Sequence, residues 1–355
     1  MIPAPSSITD SEKEEMVAQI SRLINEQEMM PQAKMKKGQK TGKASQLDHH
    51  TLAVCAMIVD KLPTEEVWRA WAKEQDSSLH ARFFIHAAKP DSPDVSPWTK
   101  QNLIPTSCAP KWNDYLIVAG IIELLKAAMT DPCVTHCIVV TESCVPLLRF
   151  VDLYRNLLEI NGTPTNGTEE VISRPFKTYM SHYDVKSPRC TKFDSQSWFP
   201  KLQANGFPSD KSDFLRKALP GWSVLGREDC EGILRVDERA KQMWKIWEGV
   251  WAPEEVYLPT AINVHNGMKN VVDRVINFAA WDEKNPDVTK RANPFWFDGR
   301  FGEVRVEWIR QGAVLGRKFK HLRADEWRRG VGAVATTTTT TAAAGEEIEA
   351  KRQKR

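Results

Sequence analysis

The polar turn Thr141-Glu142-Ser143-Cys144-Val145-Pro146 directly follows the apolar run His136-Cys137-Ile138-Val139-Val140. In α/β proteins ligands bind beyond the carboxyl ends of strands, so this turn is the first place to look for a site. His86 closes a second apolar run, Arg82-Phe83-Phe84-Ile85-His86, where an imidazole could act as a general base; a hydrogen-bonded structural histidine is the commoner use of that position. Glu254 and Glu255 stand just behind Pro253 at a helix start, a place acids favour for the helix dipole alone. Cys133 and Cys137 flank His136, but the fragment straddles a strand start and no second pair follows at zinc spacing, so no metal site is expected. Glycine-rich nucleotide loops, a GxSxG elbow, HExxH and protein-kinase signatures are all absent, which excludes the commonest nucleotide and hydrolase chemistries.

The elements that must hold these residues follow from hydrophobic period. Trp112 to Met129 reads as a long apolar helix, then Asp131-Pro132, the strand ending at Val140, the turn, and a helix from Leu147 to about Leu158. Leu52–Val59 reads as a buried strand, Pro63–Lys73 as a helix with Pro in its first turn, and 87–110 as a loop. Further on, Gly221–Arg227 predicts a strand and Glu228–Trp247 a helix with Ile233, Val236, Ala240, Met243 and Trp247 inward. Ala252–Thr260 opens another helix, Val275–Trp281 is a strand, and 303–311 is helical, while 172–215 is irregular and long for a structureless loop. Helix and strand alternate throughout, which predicts an α/β mixed sheet with helices on both faces.

Composition narrows the class. A net charge of +3 does not point to nucleic acid as the main partner, and seven cysteines are an odd count that leaves at least one thiol free. Met1–Ser7 has no apolar h-region and no run of 18 apolar residues occurs anywhere, so no signal or membrane span is expected and the compartment stays open. A helix over 9–28, with Thr9 and Glu12 at capping-box spacing, leads into a basic linker carrying Lys34, Lys36, Lys37, Lys40 and Lys43. The expected divisions are therefore 1–45 for helix and linker, 46–325 for the α/β domain, and 326–355 for a low-complexity disordered tail. Asn161 and Asn166 match the glycosylation acceptor pattern, which matters only in the secretory pathway.

Five blocks, in order, carry a resemblance. Trp112-Asn113-Asp114, Ala128-Met129-Thr130-Asp131-Pro132 and Val140–Leu147 with Phe150 form the first. Gly221-Trp222-Ser223-Val224-Leu225, Ala252–Thr260, Asn277-Phe278-Ala279-Ala280-Trp281 and Leu315-Gly316-Arg317-Lys318-Phe319 are the others. Together they resemble the core-2/I-branching β-1,6-N-acetylglucosaminyltransferase family, over roughly residues 52–320 and in the pattern of its plant and protist members.

The resemblance implies a GT-A type fold and metal-independent, inverting transfer of N-acetylglucosamine from UDP-GlcNAc to a hydroxyl of a glycan or glycoprotein. The chain has no Asp-x-Asp, the usual metal-diphosphate clamp, in agreement. Glu255 matches the family's catalytic glutamate and would be the general base, while Lys318 matches a lysine on the donor diphosphate. Its partner arginine would be Arg291, with Arg300 as runner-up. His86, Glu142 and Ser143 fall with the donor region, Cys144 beside them, and Trp281 and Trp222 with the acceptor. Pro220-Gly221 stands where the family has Ser-Gln, and Ala87-Ala88 where animal members have Val-Asp, so another donor such as UDP-xylose, or a catalytically silent glycan- or protein-binding member, stays open. Family members are usually type II Golgi membrane proteins with an N-terminal anchor, which this sequence does not show.

Overall fold

The computed structural model describes residues 9–29, 50–75, 78–111, 114–160, 176–184, 199–218, 222–240, 243–281, 294–298 and 301–332. Helix α1 (Asp10–Met29) buries Ile20, Leu23 and Ile24 in the same core as the central sheet, and Glu26 pairs with Arg239 at 2.6 Å. The N-terminal helix, expected as a separate segment, is thus part of the packed body.

Strand β1 (His50–Ile58) alternates between two cores. Ala53, Cys55 and Met57 enter one, and Leu52, Val54, Ala56 and Ile58 the other. A strand covered on both faces reads as a continuous apolar run, which is why it was visible in the sequence. Helix α2 (Glu65–Ala72) covers the second face with Val67, Trp68 and Trp71. Strand β2 (Leu79–Ala87) follows, then a loop that holds the short helix α3 (Pro97–Gln101), where the Ser96 hydroxyl accepts the Thr99 N–H at 3.0 Å. Helix α4 (Leu116–Met129) is apolar nearly all round and lies on the first face; strand β3 (Val134–Thr141) comes next.

Strand β4 (Val145–Pro146), helix α5 (Phe150–Ile160) and the short strands β5 (Thr178–Met180) and β6 (His182–Asp184) continue the chain. Helix α6 (Phe199–Ala204), a 3-10 turn at Ser209–Phe214, strand β7 (Arg216–Ala218) and strand β8 (Val224–Gly226) give structure to part of the stretch read as irregular. Helix α7 (Arg227–Arg239) ends earlier than its period suggested, and a separate 3-10 turn (Met243–Trp247) completes the expected apolar stripe. Ile233, Val236, Ala240 and Trp247 are buried as expected; the Met243 side chain lies outside the description.

The last third comprises helix α8 (Pro253–Asn266), strands β9 (Val271–Asp273), β10 (Asn277–Ala279) and β11 (Phe297–Asp298), and helix α9 (Phe301–Arg310). Strands β12 (Leu315–Arg317) and β13 (Phe319–His321) and helix α10 (Ala324–Gly332) close it. Residues 326–332, expected in the disordered tail, are a correction: Trp327 is fully buried and its indole N–H donates to the Pro146 carbonyl at 2.9 Å. The basic linker, Asn161, Asn166, Trp112, Asn113, Pro220, Gly221 and everything beyond Gly332 lie outside the described residues.

The fold is α/β with a mixed six-stranded sheet in the order β2-β1-β3-β8-β5-β9. β1 runs parallel to β2 and β3, while β8 is antiparallel to both β3 and β5, and β5 and β9 are parallel. A three-stranded sheet, β10-β12-β4, takes in the chain just after β3, and β6-β7 and β11-β13 form two-stranded pairs. Among the described residues no helix is long and apolar enough to cross a membrane.

Candidate functional site

The turn after β3 is held from both sides. Its own N–H of Cys144 closes on the Thr141 carbonyl at 3.1 Å. From α2, the Thr64 hydroxyl and the Trp68 indole each donate to the Cys144 carbonyl at 3.2 Å. From the opposite side, Phe319 N–H donates to the Ser143 carbonyl and Leu147 N–H to the Val314 carbonyl, both at 2.9 Å, while Gly316 faces Val145 in the antiparallel β12–β4 pair. Glycine at 316 leaves room for the Trp308 ring, because a Cβ there would stand 2.5 Å from it. These contacts fix Arg317 and Lys318 beside Glu142 and Ser143, although nearly half the chain separates them.

Helix α8 delivers the acids. Ala252 precedes it with a left-handed backbone (φ 47°) and accepts the Glu255 N–H at 3.0 Å, so the chain turns sharply into the first helical turn. Both Glu254 and Glu255 line the resulting cleft. Lys217, a buried lysine on β7, sets its Nζ 3.4 Å from Glu255 Oε2.

The cleft has a volume of about 350 Å³ and opens at the carboxyl ends of β1 and β2, at Met57, Ile58 and Ala88. Glu142, Ser143, Trp222, Glu255, Trp281 and Lys318 all line it, so six of the residues singled out from the sequence come together. Trp222 is mostly buried and carries the Arg317 guanidinium 5.6 Å over its ring. Lys318 lies 5.1 Å over Trp296, and Trp251, Trp281 and Trp296 stand about half exposed at the cleft. Nothing in the residue pattern singled out Lys217, Trp251 or Trp296, and Arg317 was noted only as the neighbour of Lys318. A larger hollow of about 730 Å³ flanks the first half of β2 and contains none of the expected site residues.

His86 is not in the cleft. It is buried, its Nε2 accepts the Cys108 N–H at 3.0 Å and meets the Cys108 sulfur at 3.2 Å, and burial pushes its pKa down to about 4. A neutral, covered imidazole of this kind is a structural histidine, the commoner alternative. Arg291 and Arg300 lie outside the described residues; the arginine found beside Lys318 is its chain neighbour, Arg317.

Charge in the cleft is balanced by proximity. Burial pushes Glu142 above the ordinary carboxylate range, and the positive charges of Arg317 and Lys318 oppose the shift. Burial does the same to Glu254, opposed by Arg317 and Lys217, and Glu254 Oε2 finds no hydrogen-bond partner among the described residues. Lys318 is held below the usual lysine range by burial and then by Arg317, with Glu142 pulling the other way. Two cations facing partly buried acids suit a substrate that brings its own negative charge. Among the described residues no three His, Cys, Asp or Glu side chains gather as a metal ligand set.

The arrangement can be set against known proteins. No curated protein gives a significant match. A solved galactosyltransferase, LgtC, in complex with donor and acceptor sugar analogs, is 11% identical, with 81% of this chain and 98% of that chain covered at a TM-score of 0.34, too low a likeness to argue from. The family model described as Branch, Core-2/I-Branching enzyme, matches residues 54–298, more than half of the sequence, and the chain belongs to that family of glycosyltransferases.

Proposed function

We propose that the cleft performs inverting, metal-independent transfer of a sugar, N-acetylglucosamine, from its UDP donor to a hydroxyl of a glycan acceptor. The observation that carries this reading is the meeting of Glu255 and Lys318 in one cleft at the carboxyl ends of parallel strands, with tryptophan faces around them. A sugar hydroxyl is a weak nucleophile, and Glu255 takes its proton as the oxygen attacks the anomeric carbon. The bond to the diphosphate oxygen breaks on the opposite face, UDP leaves with the electron pair, and the anomeric configuration inverts. Negative charge grows on the departing diphosphate, and Lys318 with Arg317 supplies the positive charge there. Trp281 offers a flat apolar face to a sugar ring, while Trp222 holds Arg317 from below. The mixed sheet with helices on both faces fits a GT-A type arrangement, with the donor toward β1 and the turn and the acceptor toward α8 and Trp281.

The test is UDP titration of the purified chain, followed by UDP release from UDP-GlcNAc and UDP-xylose in the presence of a mixed glycan acceptor pool. Saturable UDP binding and faster release from UDP-GlcNAc are expected. Faster release from UDP-xylose replaces the donor, and no UDP binding at millimolar concentration leaves a catalytically silent member.

A further inference from the structure

Lys217 has no place in the reading above, yet it is one of the most unusual side chains in the molecule. Its side chain is 3% exposed, against 18% for its partner Glu255. A lysine so covered costs stability unless a carboxylate compensates its charge, so a chain retains one where the pair does something. Its position is fixed from α8 itself. The Thr260 hydroxyl accepts the Arg216 N–H at 3.1 Å and reaches the Arg216 carbonyl at 3.3 Å, and Asn263 Nδ2 donates to the Phe214 carbonyl at 2.9 Å. On its other side β7 is paired with β6, Lys217 opposite Tyr183. The helix that carries the acid therefore also clamps the strand that carries the lysine.

We propose that Lys217 is a positioning residue whose ammonium holds the Glu255 carboxylate ionised and oriented for the acceptor hydroxyl. This rests on Glu255 being the base. Among the described residues, the other charged groups that line the same cleft are its neighbour Glu254, Glu142 from the turn, Arg317 and Lys318 from β12 and its end, and Lys111 ahead of α4. Lys217 is the cation that an ion pair joins to Glu255, at 3.4 Å, and its charge, after that of Arg317, also acts on Glu254. An opposite charge at this distance holds a carboxyl's pKa down, by about 1–3 units. Removing it moves the acid limb of activity upward, because Glu255 then stays protonated to higher pH.

The experiment is the pH profile of UDP release for wild type, Lys217→Met and Lys217→Arg, together with a ¹³C-carboxyl titration of glutamate-labelled protein with the Glu255 resonance assigned through Glu255→Gln. Lys217→Met should shift both the limb and the Glu255 titration up by about 1 unit or more, lowering kcat with little change in UDP affinity, and Lys217→Arg should restore both. An unmoved limb and titration in folded Lys217→Met overturns the proposal. If Lys217→Met does not fold, the double variant Lys217→Met/Glu255→Gln should fold, because the stranded charge is gone; failure of that rescue also overturns it. The titration needs no turnover, so a wild type that releases no UDP refutes the enzymatic reading and leaves the carboxyl shift to decide whether the ion pair exists.

Discussion

Glu254 and Glu255 are chain neighbours with different surroundings, and under the proposed function those surroundings separate their roles. Glu254 is deeply buried with its carboxyl pushed upward, whereas Glu255 is more open and sits against Lys217. A base must be ionised and within reach of the hydroxyl, which favours Glu255. Glu255→Gln should leave UDP binding intact and lower transfer by roughly 10²–10⁴-fold, the usual worth of a positioned base. Glu254→Gln should cost little, and equal losses in the two would mean only that the start of α8 had been disturbed. On the donor side, Lys318→Ala should lower kcat by about 10²-fold or more, since a cation acts most on charge that develops in the transition state. Wild-type kinetics in that variant would return Lys318 to a surface role. With Arg317 and Lys318 meeting the diphosphate, activity should survive EDTA. A loss in chelator that Mn²⁺ restores would remove both residues from that role.

At the scale of elements, the site helix depends on its neighbour α7. The Tyr257 hydroxyl of α8 donates to Asp237 Oδ1 at 3.0 Å, and burial pushes Asp237 up to about 6, with Tyr257 and then Lys126 opposing. An unfolded aspartate titrates near 3.9. The folded state therefore binds this proton more tightly, and the stability it contributes is full below about pH 4 and lost as pH rises through 6. Asp237→Asn mimics the protonated form. Its melting temperature should match wild type at pH 4 and exceed it by a few degrees at pH 7.5; a constant offset at both pH values would contradict this. The same scale shows what sequence could and could not reveal. β1 and β3 were legible because both faces are buried and the apolar run is unbroken. β12 and β13 were not, since three residues carry no period, and the small sheet exists through long-range pairing alone. Helix α10 was missed because it is short, carries two glycines and runs into a low-complexity tail, although Trp327 anchors it. Glu255 and Lys318 were singled out because whole segments resembled a family. The Lys217–Glu255 pair leaves no local trace, because its partners sit on separate elements that meet only through the fold.

The whole molecule sets a limit that the family match alone would misplace. The match ends at residue 298, yet Arg317 and Lys318, from β12 and the residue after it, line the cleft. The turn that carries Glu142 and Ser143 is also held from beyond that point. Phe319 N–H bonds the Ser143 carbonyl, the Arg305 guanidinium bonds the Leu147 carbonyl, and the Trp327 indole bonds the Pro146 carbonyl. Phe301, Trp308, Leu315, Phe319 and Trp327 lie in one buried cluster with β1, β3 and α2, so removing them opens the second face of the sheet. Burying side chains of this size contributes on the order of 1.5–3 kcal/mol each, well beyond the margin of an ordinary domain when several are lost together. A chain cut after residue 298 should therefore lose both UDP binding and cooperative thermal unfolding, whereas one cut after Gly332 should keep both. Calorimetric melts with and without UDP read the two properties in one experiment. If the 1–298 chain melts cooperatively and still gains stability from UDP, the donor is held without Lys318, and the diphosphate site lies elsewhere in the cleft.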